Sequence, residues 1–204
     1  MKAWISIGVN LDEVKAALYK LEPQQQNKVL KRALRETAKQ AREKLVKQAQ
    51  DSYTVKNAGF KKAMIIRMVS GSVPAAKLRA EGETLPLRSF KVSAGGRTTK
   101  AQVLKSGRLK ELKRGGIKAF VNNIARKGQT RKKSSRKGAA GSQVRHVAVA
   151  QRQGKERLEI HEKFSNSIPA MLGSEKHVYG IVEPEIGMNL QDNLRKFIDQ
   201  ALGG

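Results

Sequence analysis

The sequence predicts an α+β fold: a long N-terminal amphipathic helix packed on a mainly antiparallel sheet, with C-terminal helices and an extended basic loop. A helical pattern fills the first quarter of the chain, alternating segments with glycine turns occupy the middle, and a helical pattern returns at the end. Segregated helices and strands favour an antiparallel sheet. No internal repeat or clean boundary is visible in the 204 residues, so we expect a single domain over 1–204.

The first two predicted elements are short. Apolar residues alternate with mostly polar ones from Ala3 to Val9, which predicts a strand. Asn10 stands where the N-cap of a following helix belongs, and the helix is predicted over about 11–21. We expect Pro23 to end it, because the residue before a proline disfavours helical geometry.

A long basic helix is predicted from Gln24 to about Ser52, where no Gly or Pro interrupts the pattern. Its apolar residues recur at spacings of three and four and form one stripe. The stripe consists of Leu30, Leu34, Ala38, Ala41, Leu45 and Ala49. Because alanine permits close approach, we expect the stripe to pack on a sheet face or, as the second alternative, on a neighbouring subunit.

The middle of the chain changes to a strand pattern. Residues 60–69 fit a helix and a strand equally well. After Pro74, the segments Lys77–Glu81 and Leu87–Val92 alternate between apolar and polar residues, with a turn at Gly82 between them. Both segments are therefore predicted to be strands.

A β-hairpin is predicted near residue 153, where Arg145–Arg152 and Glu156–His161 flank a glycine-bearing loop. His146 and His161 fall on its two strands, within possible reach of each other. Without a carboxylate partner they are weak evidence for a metal, and exposed positions on the hairpin are the commoner explanation. After the hairpin, helices are predicted over 174–182 and about 188–202.

Several functional classes lose support from the composition. The chain has no Cys, which excludes disulfides and Cys-ligated metals, and no run of about 20 apolar residues that a membrane span needs. Neither a Walker loop nor a G-x-S-x-G elbow is present. We therefore predict a non-enzymatic protein with no catalytic residues, no cofactor and no metal.

The charge is the strongest functional signal. The formal net charge is +25, and residues 97–137 hold 15 Lys and Arg against one acid, Glu111. Such an excess usually implies a polyanionic partner, and nucleic acid, anionic lipid and an acidic protein surface all fit. Within it we predict a basic flexible loop at about 122–143; a solvated loop without a dedicated ligand is the alternative. The residues predicted to contact nucleic acid or an acidic partner are Arg97, Lys100, Arg131, Lys132, Lys133, Arg136 and Lys137.

The order and spacing of several short motifs resemble the minor tail protein Z family of tailed bacteriophages, the tail completion proteins. The resemblance covers about residues 24–202 and begins with the long Ala-rich basic helix. It continues through Leu85–Phe90, Gly116–Val121, the hairpin from His146 to Leu158, and Ser167–Leu172.

The resemblance implies a structural virion protein that completes the head-proximal end of a long tail and helps join it to the head. It also implies a homo-oligomeric ring, commonly of six subunits, beside tail terminator and head–tail connector proteins, with contact to DNA in the neck as a further expectation. Such a protein resides in the virion tail or neck, and in the host cytoplasm during assembly. The alternative is a nucleic-acid-binding accessory protein that acts through the basic central segment.

Overall fold

A computed structural model describes residues 2–8, 15–56, 59–71, 74–94, 98–130, 143–154 and 159–203. The fold belongs to the α+β class, as the sequence predicts, with one long helix, antiparallel sheets and a C-terminal helix. Where the sequence shows no boundary, contacts divide the chain into two compact units. Unit 1 comprises Met1–Tyr53, Asn57–Thr84 and Asn166–Gly204, and unit 2 comprises Thr54–Lys56 and Leu85–Ser165.

The described residues of unit 1 form five helices and a three-stranded sheet. Its helices are α1 (Lys15–Leu18), α2 (Pro23–Ser52), α3 (Phe60–Ala63), α4 (Ile168–Leu172) and α5 (Tyr179–Leu202). Its sheet has the order β1-β3-β2, formed by β1 (Lys2–Ile7), β2 (Met64–Val69) and β3 (Ala75–Glu81), and both pairings are antiparallel. The ambiguity of residues 60–69 is resolved as one helical turn followed by a strand.

Helix α2 confirms the predicted long helix and its stripe. All six stripe residues are buried, and five of them, from Leu34 to Ala49, have no exposed surface. The helix contacts β3 and β2, as expected, and also runs along α5, which the sequence did not indicate. Pro23 does not merely terminate the preceding segment, because it occupies the first turn of α2, where a missing N–H is not needed.

The C-terminal part of unit 1 closes its core. Ser167 caps α4 by accepting a hydrogen bond from the Ala170 N–H at 3.3 Å. Helix α5 is longer than the predicted helix over about 188–202. It begins at Tyr179 and continues through Pro184. It buries its apolar side at Leu190, Leu194, Phe197 and Ile198, among other residues.

Unit 2 is built from short strands and one long pair. The short strands are β5 (Lys91–Ser93), β6 (Lys100–Gln102), β7 (Lys110–Glu111), β8 (Lys113–Arg114), β9 (Ile117–Lys118) and β12 (Ile160–Glu162). The long pair is β10 (Phe120–Thr130) and β11 (Gln143–Arg152), and β12 pairs with the other edge of β11. The chain passes between the units after Tyr53 and after Lys56, and again within β4 (Thr84–Pro86) and β13 (Phe164–Ser167).

Two predictions for this region differ from the structure. Residues 87–92 do not form one strand: Leu87–Ser89 is a 3₁₀ turn whose Leu87 carbonyl accepts from the Phe90 N–H at 3.1 Å, and β5 starts after it. The loop predicted at about 122–143 is strand as far as Thr130 and again from Gln143. The remainder of that loop, 131–142, lies outside the described residues.

Candidate polyanion-binding site

The β8–β9 hairpin of unit 2 concentrates positive charge at a tight turn. Gly115 and Gly116 connect its strands with φ values of +56° and +79°, as a type I′ turn requires. Lys113 lies directly opposite Lys118 across the hairpin, and both are exposed. Like charges at this separation repel, so the hairpin gains stability when an anion neutralises them.

Strand β11 holds this hairpin through a buried glutamine. Gln151 is 5% exposed, and its Nε2 donates to the Ile117 carbonyl at 2.6 Å. On its other side Gln151 lies opposite His161 of β12. One residue thus connects β9 to the β11–β12 pair and sets the spacing between the side chains of both.

The end of the β11–β12 pair is fixed by further hydrogen bonds. The Gln153 N–H donates to the Glu159 carbonyl at 3.1 Å. The side-chain amide of Gln153 lies within hydrogen-bonding distance of His161, with 3.0 Å between the Gln153 Oε1 and the His161 Nε2. The Lys163 N–H donates to the Val149 carbonyl at 2.8 Å, which anchors this lysine beside a buried strand.

These three pieces of chain line an open cavity of about 320 Å³ within unit 2. This volume is at the lower end of the range for small-ligand sites. The hairpin contributes Arg114 and Ile117, β11 contributes Gln151 and Arg152, and the β12 segment contributes His161 and Lys163.

The electrostatics of the cavity favour an anion. Arg114, Arg152 and Lys163 bring three formal positive charges to it, and no carboxylate is among the described residues that line it. Arginine binds phosphate oxygens through a planar fork of donors, and lysine acts as a compact point charge. With one partly exposed apolar wall at Ile117, the cavity suits a small polar anion better than an apolar ligand.

Of the residues that the sequence predicted for this role, the structure describes Lys100. It is exposed on β6, but it lies opposite Glu111 of β7, so a neighbouring acid opposes its charge. The other predicted residues, Arg97, Arg131, Lys132, Lys133, Arg136 and Lys137, lie outside the described residues.

The two hairpin histidines do not meet. His161 pairs with Gln151, whereas His146 pairs with Ile124 five residues earlier on β11. At about 3.4 Å per residue the two positions are roughly 17 Å apart along the strand. Over the part of the chain that the structure covers, no group of three or more His, Asp or Glu is arranged to hold a metal ion.

Sequence reasoning missed the cavity because its walls come from three separate stretches near residues 115, 152 and 162. The available signal was the Gly115-Gly116 pair between Arg114 and Ile117, which is typical of a tight hairpin turn. The pairing of that hairpin with β11 has no local signature.

None of the described helices is both long and apolar enough to cross a membrane. Comparison with known proteins found no family model, no curated protein and no solved structure that matches the chain.

Proposed function

We propose that this chain is a structural virion protein that completes the head-proximal end of a long phage tail and helps join the tail to the head. The observation that carries the proposal is the concentration of exposed positive charge in unit 2, which favours an anionic partner. Lys91, Lys105, Arg108 and Lys110 are exposed there in addition to the cations of the β8–β9 hairpin. An acidic neighbouring ring and the DNA that passes through the neck are both anionic partners of this kind.

The motifs behind the resemblance have structural roles, which is consistent with a scaffold. In the Ser167–Leu172 motif the serine caps α4, and Met171 and Leu172 are almost fully buried. In the Leu85–Phe90 motif, Leu87 and Phe90 are buried around the 3₁₀ turn. In this proposal, unit 1 supplies a rigid frame, and the chain assembles as a homo-oligomeric ring, with six subunits as the expected number.

The experiment is to purify the protein and the virions encoded with it. Electron micrographs of the protein should show rings, and particles should contain the protein at the neck, beside tail terminator and connector proteins. A strictly monomeric protein that is absent from purified particles would refute the proposal.

A charge variant tests the basic segment within the same system. Replacing Lys132, Lys133, Arg136 and Lys137 with Ser should leave the melting temperature unchanged and reduce the yield of joined particles. The matched control replaces four exposed α2 cations, Lys28, Lys31, Arg35 and Lys47, with Ser, which removes the same charge from unit 1. Equal loss of joining in both variants would argue against a dedicated role for the segment.

The second candidate function is a nucleic-acid-binding accessory protein. The cationic cavity favours it, because phosphate is the anion that a nucleic acid presents. This function would be favoured over the first if the affinity for DNA falls steeply with salt and the protein neither forms rings nor is found in virions.

A further inference from the structure

We infer that the cavity between the β8–β9 hairpin and the β11–β12 pair is a phosphate-binding site that holds one backbone phosphodiester of a nucleic acid. The inference rests on the DNA contact included in the proposed function, and it locates that contact on Arg114, Arg152 and Lys163, none of which is among the contact residues that the sequence predicted. It does not require the tail role.

Three positive charges from separate parts of unit 2 converge on one open cavity. Arg114 and Arg152 come from different strand pairs, and Lys163 follows a third strand, yet all three line the same 320 Å³ cavity. Like charges with no carboxylate among the described lining residues are unfavourable until an anion enters. A phosphate offers several acceptor oxygens, enough for the guanidinium groups and the ammonium at once.

The backbone that carries the lining side chains is held in place before binding. Gln151 is buried and spans from β11 to the Ile117 carbonyl of β9. The backbone of Lys163 is fixed twice, because its N–H donates to Val149 and its carbonyl accepts from the Leu87 N–H, each at 2.8 Å. Such preorganisation reduces the ordering cost of binding.

The composition of the lining favours a backbone phosphate over a whole nucleotide. The described lining contains no aromatic side chain on which a base could stack. The donors present read charge and not base identity, which predicts binding without sequence preference. The like-charged pair Lys113 and Lys118 on the same hairpin extends the positive surface for the neighbouring phosphates.

The test compares two full-length variants that lose the same charge. The cavity variant is Arg114→Gln with Arg152→Gln, and the control is Lys105→Gln with Arg108→Gln, two exposed cations that do not line the cavity. Binding to a short fluorescent duplex is measured by anisotropy between about 50 and 200 mM salt. Unchanged melting temperatures verify that both variants fold.

We expect the cavity variant to bind roughly tenfold more weakly than the control at equal salt. Its salt slope should fall by about 0.9 for each phosphate contact that is lost. Equal affinities and equal slopes in the two variants would overturn the inference, because they would show diffuse attraction alone. Absence of duplex binding by the wild type at the lowest salt would overturn it as well.

A local readout distinguishes a built site from general charge. The imidazole resonances of His161, identified by their loss in His161→Gln, should shift when inorganic phosphate or a dinucleotide is added. Larger shifts with the dinucleotide support a phosphodiester, whereas shifts with inorganic phosphate alone would overturn the nucleic-acid assignment. An unresponsive His161 would overturn the site itself.

The outcomes for this site and for the tail role are separable. If a cavity variant binds DNA as well as its control does and still forms rings and joined particles, that result would refute the phosphate site and would not affect the proposed tail role. Loss of DNA affinity specific to the cavity variant, in a protein absent from virions, would do the reverse.

Discussion

Truncating Leu34 to alanine tests the core of unit 1 at its centre. Leu34 lies in the middle of the α2 stripe and has no exposed surface. Removing a buried leucine side chain to Cβ costs about 2–5 kcal/mol, through lost burial and the cavity left behind. Alanine is the best helix former, so helix propensity does not add to the loss.

The expected free-energy loss converts into a measurable melting shift. For chains of this length 1 kcal/mol corresponds to about 2–4 °C, so a loss of about 3 kcal/mol should lower the melting temperature by roughly 6–12 °C. Calorimetry or circular dichroism measures the shift. Leu34→Asp should prevent folding or cause aggregation, because it buries a charge.

Lys31→Ala on the same helix is the matched control. Lys31 is exposed, so its loss should change stability by no more than about 0.5 kcal/mol. If Leu34→Ala had the same melting temperature as Lys31→Ala and the wild type, the stripe would not be part of a buried core, and the description of unit 1 would be wrong.

Two further predictions concern polar groups of unit 1. Asn193 is buried, and its Nδ2 donates a hydrogen bond to Thr37 Oγ1 at 3.0 Å. The substitution Asn193→Ala should therefore lower the free energy of unfolding, measured in urea, by about 1–3 kcal/mol. A change below about 0.5 kcal/mol would contradict this prediction. Burial and, to a lesser extent, the hydrogen bond to Glu183 raise the pKa of Tyr179 from 10.0 to about 12. Between these two pH values the phenol keeps its proton in the folded state and loses it in the unfolded state. Stability from this phenol is therefore complete below pH 10 and declines as the pH rises from 10 towards 12. Glu183→Gln should lower the pKa of Tyr179 in a tyrosinate absorbance titration, and an unchanged titration would exclude the contribution of Glu183.

The long helix was predictable because its signal is local. Its 3.6-residue periodicity persists from Gln24 to Ser52 without a breaker, and packing then selects the same face that the pattern marks. The cap at Ser167 and the termination at Gly203, with φ of +101°, likewise follow from single residue types.

Strand β10 was not predictable in the same way. Apart from Ile124 and Ala125, its residues 122–130 are polar or basic residues and one glycine and do not alternate, so the segment has no strand pattern of its own. It is a strand because its backbone pairs with β11, for example Val121 with Val149. The cavity is harder still to predict, since it needs the β8–β9 hairpin, β11 and β12 to meet, and only the tertiary structure brings them together.

The order of the chain has a consequence for biosynthesis. Unit 1 takes its long helix α2 from the first quarter of the sequence and its partner α5 from the last residues before 203. At about 5–20 residues per second, roughly 6–30 s of translation separate the emergence of the two. During that interval the apolar stripe of α2 lacks its α5 partner, and its exposed apolar surface favours aggregation of the nascent chain.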